Sequence, residues 1–492
     1  MDNFFPPNEN SLYKFRDLSR NQNSLENRYN NSKHSRTAYN FDLLIEKKWN
    51  KIKWLRVPEI YEAPSLLNIN VEPNEIKQGA LKNSNFLSVL ACLAEYPYRL
   101  NSLFLTTEIN SFGLYGMRLC KDGEWQDIIV DDYLPCDIEK EVPCFSHGNT
   151  SSIWVEILEK CYAKAYGSYR KIEDCLYLDI MRDFTGAPSI TLDNSNENLE
   201  DYIKEACEKQ WFVTASAGET DASRDLLQEV GLLPMNSYTI LEIVESHAAK
   251  QNDYIVNSNS FDVESGKDSY LKIRNPWSKN EWIGDFSDFS GMVRDDNRKA
   301  LNGCFYMNLK DFKHYFSKIH IFKVFDDYLY NSLLLEQESG AYSLVKFTLA
   351  KDLESSSFIS ILQRATLNDL DPQKNFATSR LILCKLNTYD DNLEEIEYIG
   401  GKMGVERELS EEIIFKKGDY LLYIEVDSNS VGKRIFKKNQ FVLSLYSTCN
   451  VDLTEVEKSY YPNILESIYK SCAKKQNKVY KFINEGAPNC HK

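Results

Sequence analysis

Apolar and polar residues change rhythm several times along this chain, and each change predicts a different element. Residues 153–169 carry apolar side chains at spacings of three and four, among them Trp154, Ile157, Leu158, Cys161 and Tyr162, with Gly167 placed to end the run. That period predicts an amphipathic helix with a glycine stop. Ile128-Ile129-Val130 reads as a strand, and Asp122-Gly123 before Glu124-Trp125 predicts a tight hairpin turn. From Phe212 onward strands dominate, with Tyr238 to Val244 the clearest. Between about 323 and 449 the pattern is all strand: Leu344 to Leu349, Phe358 to Leu362, Leu381 to Leu386, Tyr420 to Val426 and Phe441 to Tyr446. Short strands parted by polar turns predict a sandwich. Thr454-x-x-Glu457 predicts a helix start, and Ile464, Leu465, Ile468, Cys472, Val479 and Phe482 follow at near-helical spacing. Residues 1 to about 42 hold no persistent period and are rich in Asn and Ser, which predicts a loose arm, although Phe4, Phe5, Leu12 and Tyr13 interrupt it.

Composition narrows the classes. With 492 residues and 42% hydrophobic content, the chain has room for about two to four domains with cores of their own. A formal charge of -15 without a basic stripe argues against nucleic acid as a partner. No run reaches the roughly 18 apolar residues a membrane span needs. Met1 to Pro7 lacks the basic and apolar regions of a signal peptide, so a cytoplasmic location is expected. The twelve cysteines form no Cys-x-x-Cys pair, which predicts reduced, mostly buried thiols.

Several short motifs occur in one order. Gln78-Gly79-Ala80-Leu81-Lys82-Asn83-Ser84-Asn85-Phe86-Leu87 comes first. Met117-Arg118-Leu119, Gly123-x-Trp125 and Asp131-Asp132-Tyr133-Leu134-Pro135 follow. Then come the helix from Trp154 to Tyr169, Asp183-Phe184-Thr185-Gly186, and Ile273-Arg274-Asn275-Pro276-Trp277 with Glu281-Trp282 and Ser287-Asp288. Over about residues 46 to 450 this series resembles the calpain family of papain-like cysteine proteases. The resemblance implies an α+β fold: a papain-like two-subdomain calpain core followed by an all-β, calpain-type (C2-like) sandwich. The implied divisions are an Asn-rich arm over 1–45, subdomains over 46–186 and 187–322, the sandwich over 323–450 and a helical tail over 451–492. No Asp-x-Asp-x-Asp-Gly loop follows the sandwich, so the family's penta-EF-hand small subunit is not expected as a partner.

The resemblance also assigns site positions. Aligned on Gln78-Gly79 and Phe86-Leu87, the family's nucleophilic cysteine falls on Ser84, and its Gly, Asp and Trp fall on Lys82, Asn83 and Asn85. Gly231 to Thr239 resembles the segment that carries the catalytic histidine, which here is Asn236. Asn275 matches the third triad member and Gln78 the oxyanion donor. An amide cannot accept and return a proton near neutral pH, and a hydroxyl gains little from a helix terminus where a thiol would ionise. No catalytic residue is therefore expected. His247 and Cys92 are weighed as substitutes and read as a loop residue and a core residue. Glu75 and Glu159 match carboxylates of the family's first calcium site, and Glu281 and Asp288 match ligands of the second. Asn302 and Cys304 stand where that second site has Asp and Glu, so no cofactor is expected, calcium being the one candidate these positions leave open.

The function these readings imply is that of an inactive calpain-like pseudoprotease serving as a structural component. Its protein partners would be cytoskeletal or ciliary, by analogy with inactive relatives. The alternatives are a module that binds peptides in the inactive cleft and, less expected, a serine-type hydrolase using Ser84.

Overall fold

In the computed structural model, residues 2–12, 51–67, 71–148, 151–173, 175–218, 224–234, 236–245, 269–276, 282–285, 287, 303–338, 340–364, 376–389, 393–427 and 438–474 are described. The first part of the chain supplies β1 (Ile52–Arg56), α1 (Ser84–Ala94), β2 (Leu114–Lys121), β3 (Glu124–Asp131), β4 (Tyr133–Asp137), α2 (Trp154–Tyr166) and α3 (Tyr177–Thr185). Every residue of α1 from Phe86 onward is buried, the mark of a helix that runs through a core rather than over one. Phe86 meets the rings of Tyr162 and Phe184 at 5.2 and 6.0 Å. The Tyr162 and Tyr166 hydroxyls both donate to buried Asp183, at 2.9 and 2.5 Å. Helix α2 ends where the glycine predicts: Gly167 takes φ 97° and its N–H donates to the Ala163 carbonyl at 2.7 Å. The β2–β3 turn has φ 51° at Asp122 and 85° at Gly123, the left-handed pair that a two-residue hairpin requires.

The N-terminal residues depart from the loose arm expected there. Over residues 2–12 the chain lies on α2 and its surroundings. The Asp2 N–H donates to Asp131 at 2.6 Å, and Lys164 donates to the Asp2 carboxylate at 2.6 Å. Phe5 and Leu12 are buried, Phe5 with its ring 5.8 Å from that of Tyr169. Of the apolar residues that interrupt the polar composition, Phe5 and Leu12 fold this stretch down, while Phe4 stays exposed. Residues 13–50 lie outside the described part.

A six-stranded sheet follows, of β5 (Ser189–Asp193), β6 (Phe212–Ala217), β7 (Ser237–Glu245), β8 (Ser269–Arg274), β9 (Cys304–Asn308) and β10 (Phe316–Phe322). Its order is β5-β10-β6-β7-β8-β9. Asn308 caps the short helix Leu309–Tyr315 between β9 and β10, its side chain accepting from Asp311 N–H at 2.7 Å. The chain divides into two units: Met1–Leu119, Gln126–Thr185 and Ile190–Lys323 form the first, and Cys120–Trp125, Gly186–Ser189 and Val324–Lys492 the second.

The second unit holds β11 (Leu329–Glu338), β12 (Ser343–Leu349), β13 (Ser357–Gln363), β14 (Thr378–Tyr389), β15 (Leu393–Gly404), β16 (Glu408–Ile413), β17 (Gly418–Asp427), β18 (Lys438–Ser447), β19 (Thr454–Glu455) and α4 (Tyr461–Lys474). One sheet is ordered β11-β18-β13-β16 and the other β15-β14-β17-β12-β19. Val345, Phe347, Leu422 and Ile424 from the second sheet share one apolar cluster with Ile359, Ile361, Leu443 and Leu445 from the first. The alternate residues Leu344, Ile382, Leu421 and Tyr423 point the other way and pack with Ile464, Leu465, Ile468 and Cys472 of α4. Strands β12, β14 and β17 are thus apolar on both faces because a helix covers the outer one. Thr454 does not cap this helix. It pairs with Lys346 in β19, and α4 begins at Tyr461 with Pro462 in its first turn, where a missing N–H costs nothing. Val479 and Phe482 lie outside the described residues.

Candidate functional site

Two segments build the entry to α1. Lys77 and His147 exchange main-chain hydrogen bonds of 2.8 and 3.1 Å, and Ala80 N–H donates to the Cys144 carbonyl at 2.8 Å. A side chain at Gly79 would stand 2.2 Å from the Phe145 carbonyl oxygen, so this crossing admits only glycine. Gln78, at the oxyanion-donor position, is exposed, and its side-chain amide donates to the Leu81 carbonyl at 3.3 Å.

Asn83 is the residue before α1, a position where asparagine ordinarily caps. Its side chain makes no cap hydrogen bond. It turns inward instead, donating to Glu159 at 2.6 Å and approaching the Ser146 hydroxyl at 3.4 Å. Ser146 gives Glu159 two further bonds, from its hydroxyl and from its N–H, the latter at 3.2 Å. Asn83, Ser146 and Glu159 are all buried. Burial drives the Glu159 carboxyl up to about 8 against the pull of these donors. One turn earlier, burial also drives Glu156 up to about 7, with the Tyr61 hydroxyl donating to it at 2.7 Å. A cavity of about 10 Å³ lies beside them, with Leu134, Pro135, Phe145 and Tyr169 in its walls, room for about one water. Ser84 itself is half-buried at the first residue of α1. Its neighbours are tied down: the Lys82 N–H donates to Glu173 at 3.3 Å and the Asn85 amide donates to the Cys175 carbonyl at 3.1 Å.

Strand register positions the other two triad positions. β7 and β8 run antiparallel with Thr239 opposite Arg274. Asn236 immediately precedes β7 and Asn275 immediately follows β8, so both stand at the same end of the sheet. Asn275 is buried, and its N–H donates to the Gly303 carbonyl at 2.7 Å. Asn236 is half-buried, and its main-chain carbonyl accepts from Ala217 at 3.1 Å. Helix α1 joins this strand pair in one body: Cys92 hydrogen-bonds with Thr239, and Glu95, one residue past α1, pairs with Arg274. Among the described contacts no hydrogen bond links Ser84 to Asn236 or to His147. Cys92 is buried and burial pushes its thiol up to about 12, so it is no substitute nucleophile. His247 and Trp277 lie outside the described residues.

Of the four calcium positions, Glu75 and Glu159 are among the described residues. Glu75 ends the turn Pro73–Glu75, half-buried, its carboxyl raised by burial and by Glu72. Glu159 is engaged by Asn83 and Ser146. Among the described residues no three His, Cys, Asp or Glu side chains are grouped to hold a metal. Cys304 is buried at the start of β9, and Glu281, Asp288 and Asn302 lie outside the described residues. Sequence reasoning passed over Ser146, Glu156 and His147. Glu156 carried a signal: two glutamates three apart inside a helix whose residues from Trp154 to Ala163 are all buried.

The profile of the calpain family cysteine proteases matches residues 1–323, so the likeness begins at the docked N-terminus and not at residue 46. The calpain-type cysteine protease DEK1 of Zea mays is 29% identical over 296 residues, covering 56% of this chain and 13% of that protein. Calpain-14 of Homo sapiens is 27% identical over 300 residues, or 57% of this chain and 40% of its own length. The calpain-1 catalytic subunit of Gallus gallus is 26% identical over 308 residues, or 60% and 42%. The chain therefore spans less than half of each of these relatives. A clostridial cysteine protease, Cwp84, aligns with 77% of this chain and 97% of its own at 8% identity, but a TM-score of 0.24 lends it no weight. No helix among the described residues is long and apolar enough to cross a membrane.

Proposed function

This chain belongs to the calpain family of cysteine proteases, and we propose that it is a catalytically inactive member, a pseudoprotease kept for its folded surface and used as a structural or scaffold component. The observation that carries this is the pairing of Ser84 at the head of α1 with Asn236 at the start of β7. The nucleophile and the base are both replaced by groups that cannot do their work together. The unreactive apex is still held in place by buried hydrogen bonds, as a scaffold would require. On this reading residues 46–186 and 187–322 are the two halves of the protease-like core, 323–450 the C2-like sandwich and 451–492 the tail. The two sheets sharing one apolar cluster support the sandwich.

A fluorophosphonate probe and a fluorogenic peptide library, each with and without calcium, test the inactivity. Neither labelling of Ser84 nor turnover is expected, and either would overturn it. Detergent fractionation of cells tests the scaffold role. Retention with insoluble cytoskeleton is expected, whereas a wholly extractable, monomeric pool would overturn it.

A further inference from the structure

We propose that the buried trio Asn83, Ser146 and Glu159 is a metal-free latch holding the start of α1, and that the family's first calcium position takes no calcium in this chain. The inference stands apart from the pseudoprotease reading, since a latch of this kind could serve an active or an inactive cleft. It rests on hydrogen-bond geometry. Glu159 Oε1 receives the Asn83 amide at 2.6 Å and the Ser146 hydroxyl, and Oε2 receives the Ser146 N–H at 3.2 Å. Calcium asks for six to eight oxygens around one point. Here both carboxylate oxygens are already taken by donors, two of them N–H groups of Asn83 and Ser146, and a nitrogen that donates its proton does not ligate a hard cation.

The trio also does what a bridging ion would do. Asn83 is the entry to α1, Ser146 belongs to the segment paired with 77–80, and Glu159 lies on α2. Three separate stretches are thereby tied at one buried point. Asn83 gives up capping its own helix to make the tie, which is the trade expected if the cross-link is worth more than the cap.

Melting curves of the full chain in chelator and in calcium, for wild type, Glu159→Gln, Asn83→Leu and Ser146→Ala, test the proposal. Wild type and Glu159→Gln should respond to calcium alike. Asn83→Leu should melt several degrees lower in chelator, calcium should not restore it, and amide exchange in the first turn of α1 should rise at least tenfold. Ser146→Ala, a milder change, should do the same to a lesser degree and covers the case in which Asn83→Leu does not fold. A calcium-induced rise in the wild-type melting temperature that vanishes in Glu159→Gln would overturn the proposal. So would recovery of either latch variant by calcium, or unchanged exchange in both.

Discussion

The two sides of the junction that carries the family's triad positions differ in how their residues are held. On the α1 side, the residues standing where the family has other types are wired into their surroundings: Asn83 to Glu159, Asn85 to Cys175, and the Lys82 main chain to Glu173. On the strand side, Asn236 contributes a main-chain carbonyl to Ala217, and no hydrogen bond of its side chain is found among the described residues. The α1 side is tied down at each changed position, whereas at Asn236 the tie is through the main chain, with buried Asn275 beside it bonded to Gly303. A site under selection for catalysis would need both sides held to within a fraction of an ångström. A site under selection for shape alone needs only the side that carries the core. α1 is that side, buried along almost its whole length.

The comparison breaks first at α2, which underpins the α1 side. Lys160 is fully buried and donates to the Asp131 carboxylate at 2.5 Å and to the Asp131 and Tyr133 carbonyls at 3.0 and 2.6 Å. Lys160→Met leaves Asp131 buried without its cation, which should cost about 3–5 kcal/mol in urea unfolding. A loss under about 1 kcal/mol would show that the α1 side is less tightly built than its contacts imply. The next largest effect is a pH dependence. Burial raises Glu156 from 4.5 to about 7, so the folded chain holds a proton that the unfolded chain releases. Stability from this group is complete below pH 4.5 and is lost as pH climbs through 7. The displacement corresponds to about 3 kcal/mol. Glu156→Gln keeps an acceptor for Tyr61 and should make the slope between about pH 4.5 and 7 shallower, the remainder belonging to Glu159, which burial raises to about 8; an unchanged slope would place the titration elsewhere.

Local rules in the sequence carried much of this. The glycine stop of α2, the Asp122-Gly123 hairpin and the strands of the second unit follow from period and turn chemistry, and the triad positions follow from motif order. Three features did not. The docking of Phe5 and Leu12 depends on a surface made by α2 and Tyr169, more than 150 residues away in sequence, so a polar composition hid it. Thr454 matched a capping box but joined β12 as a strand, because an edge was open for pairing. The latch was illegible because asparagine before a helix predicts a cap, and only the packed fold shows the side chain turned away to Glu159.

The smallest effect is the sharpest test of the contrast. Asn236→His restores the family's residue on the strand side. Asn236 is half-buried and lies just outside β7, and its main-chain bond to Ala217 is indifferent to side-chain type. A change there should stay within about 0.5 kcal/mol, with the urea midpoint and the slope both unmoved. If Asn236 is held through its main chain alone, histidine returns at no cost. If instead stability falls by about 2 kcal/mol or more, asparagine at this position is holding structure. Asn236 would then have been built in as deliberately as Asn83, and the loss of the base would be a remodelling of the junction and not a relaxation of it.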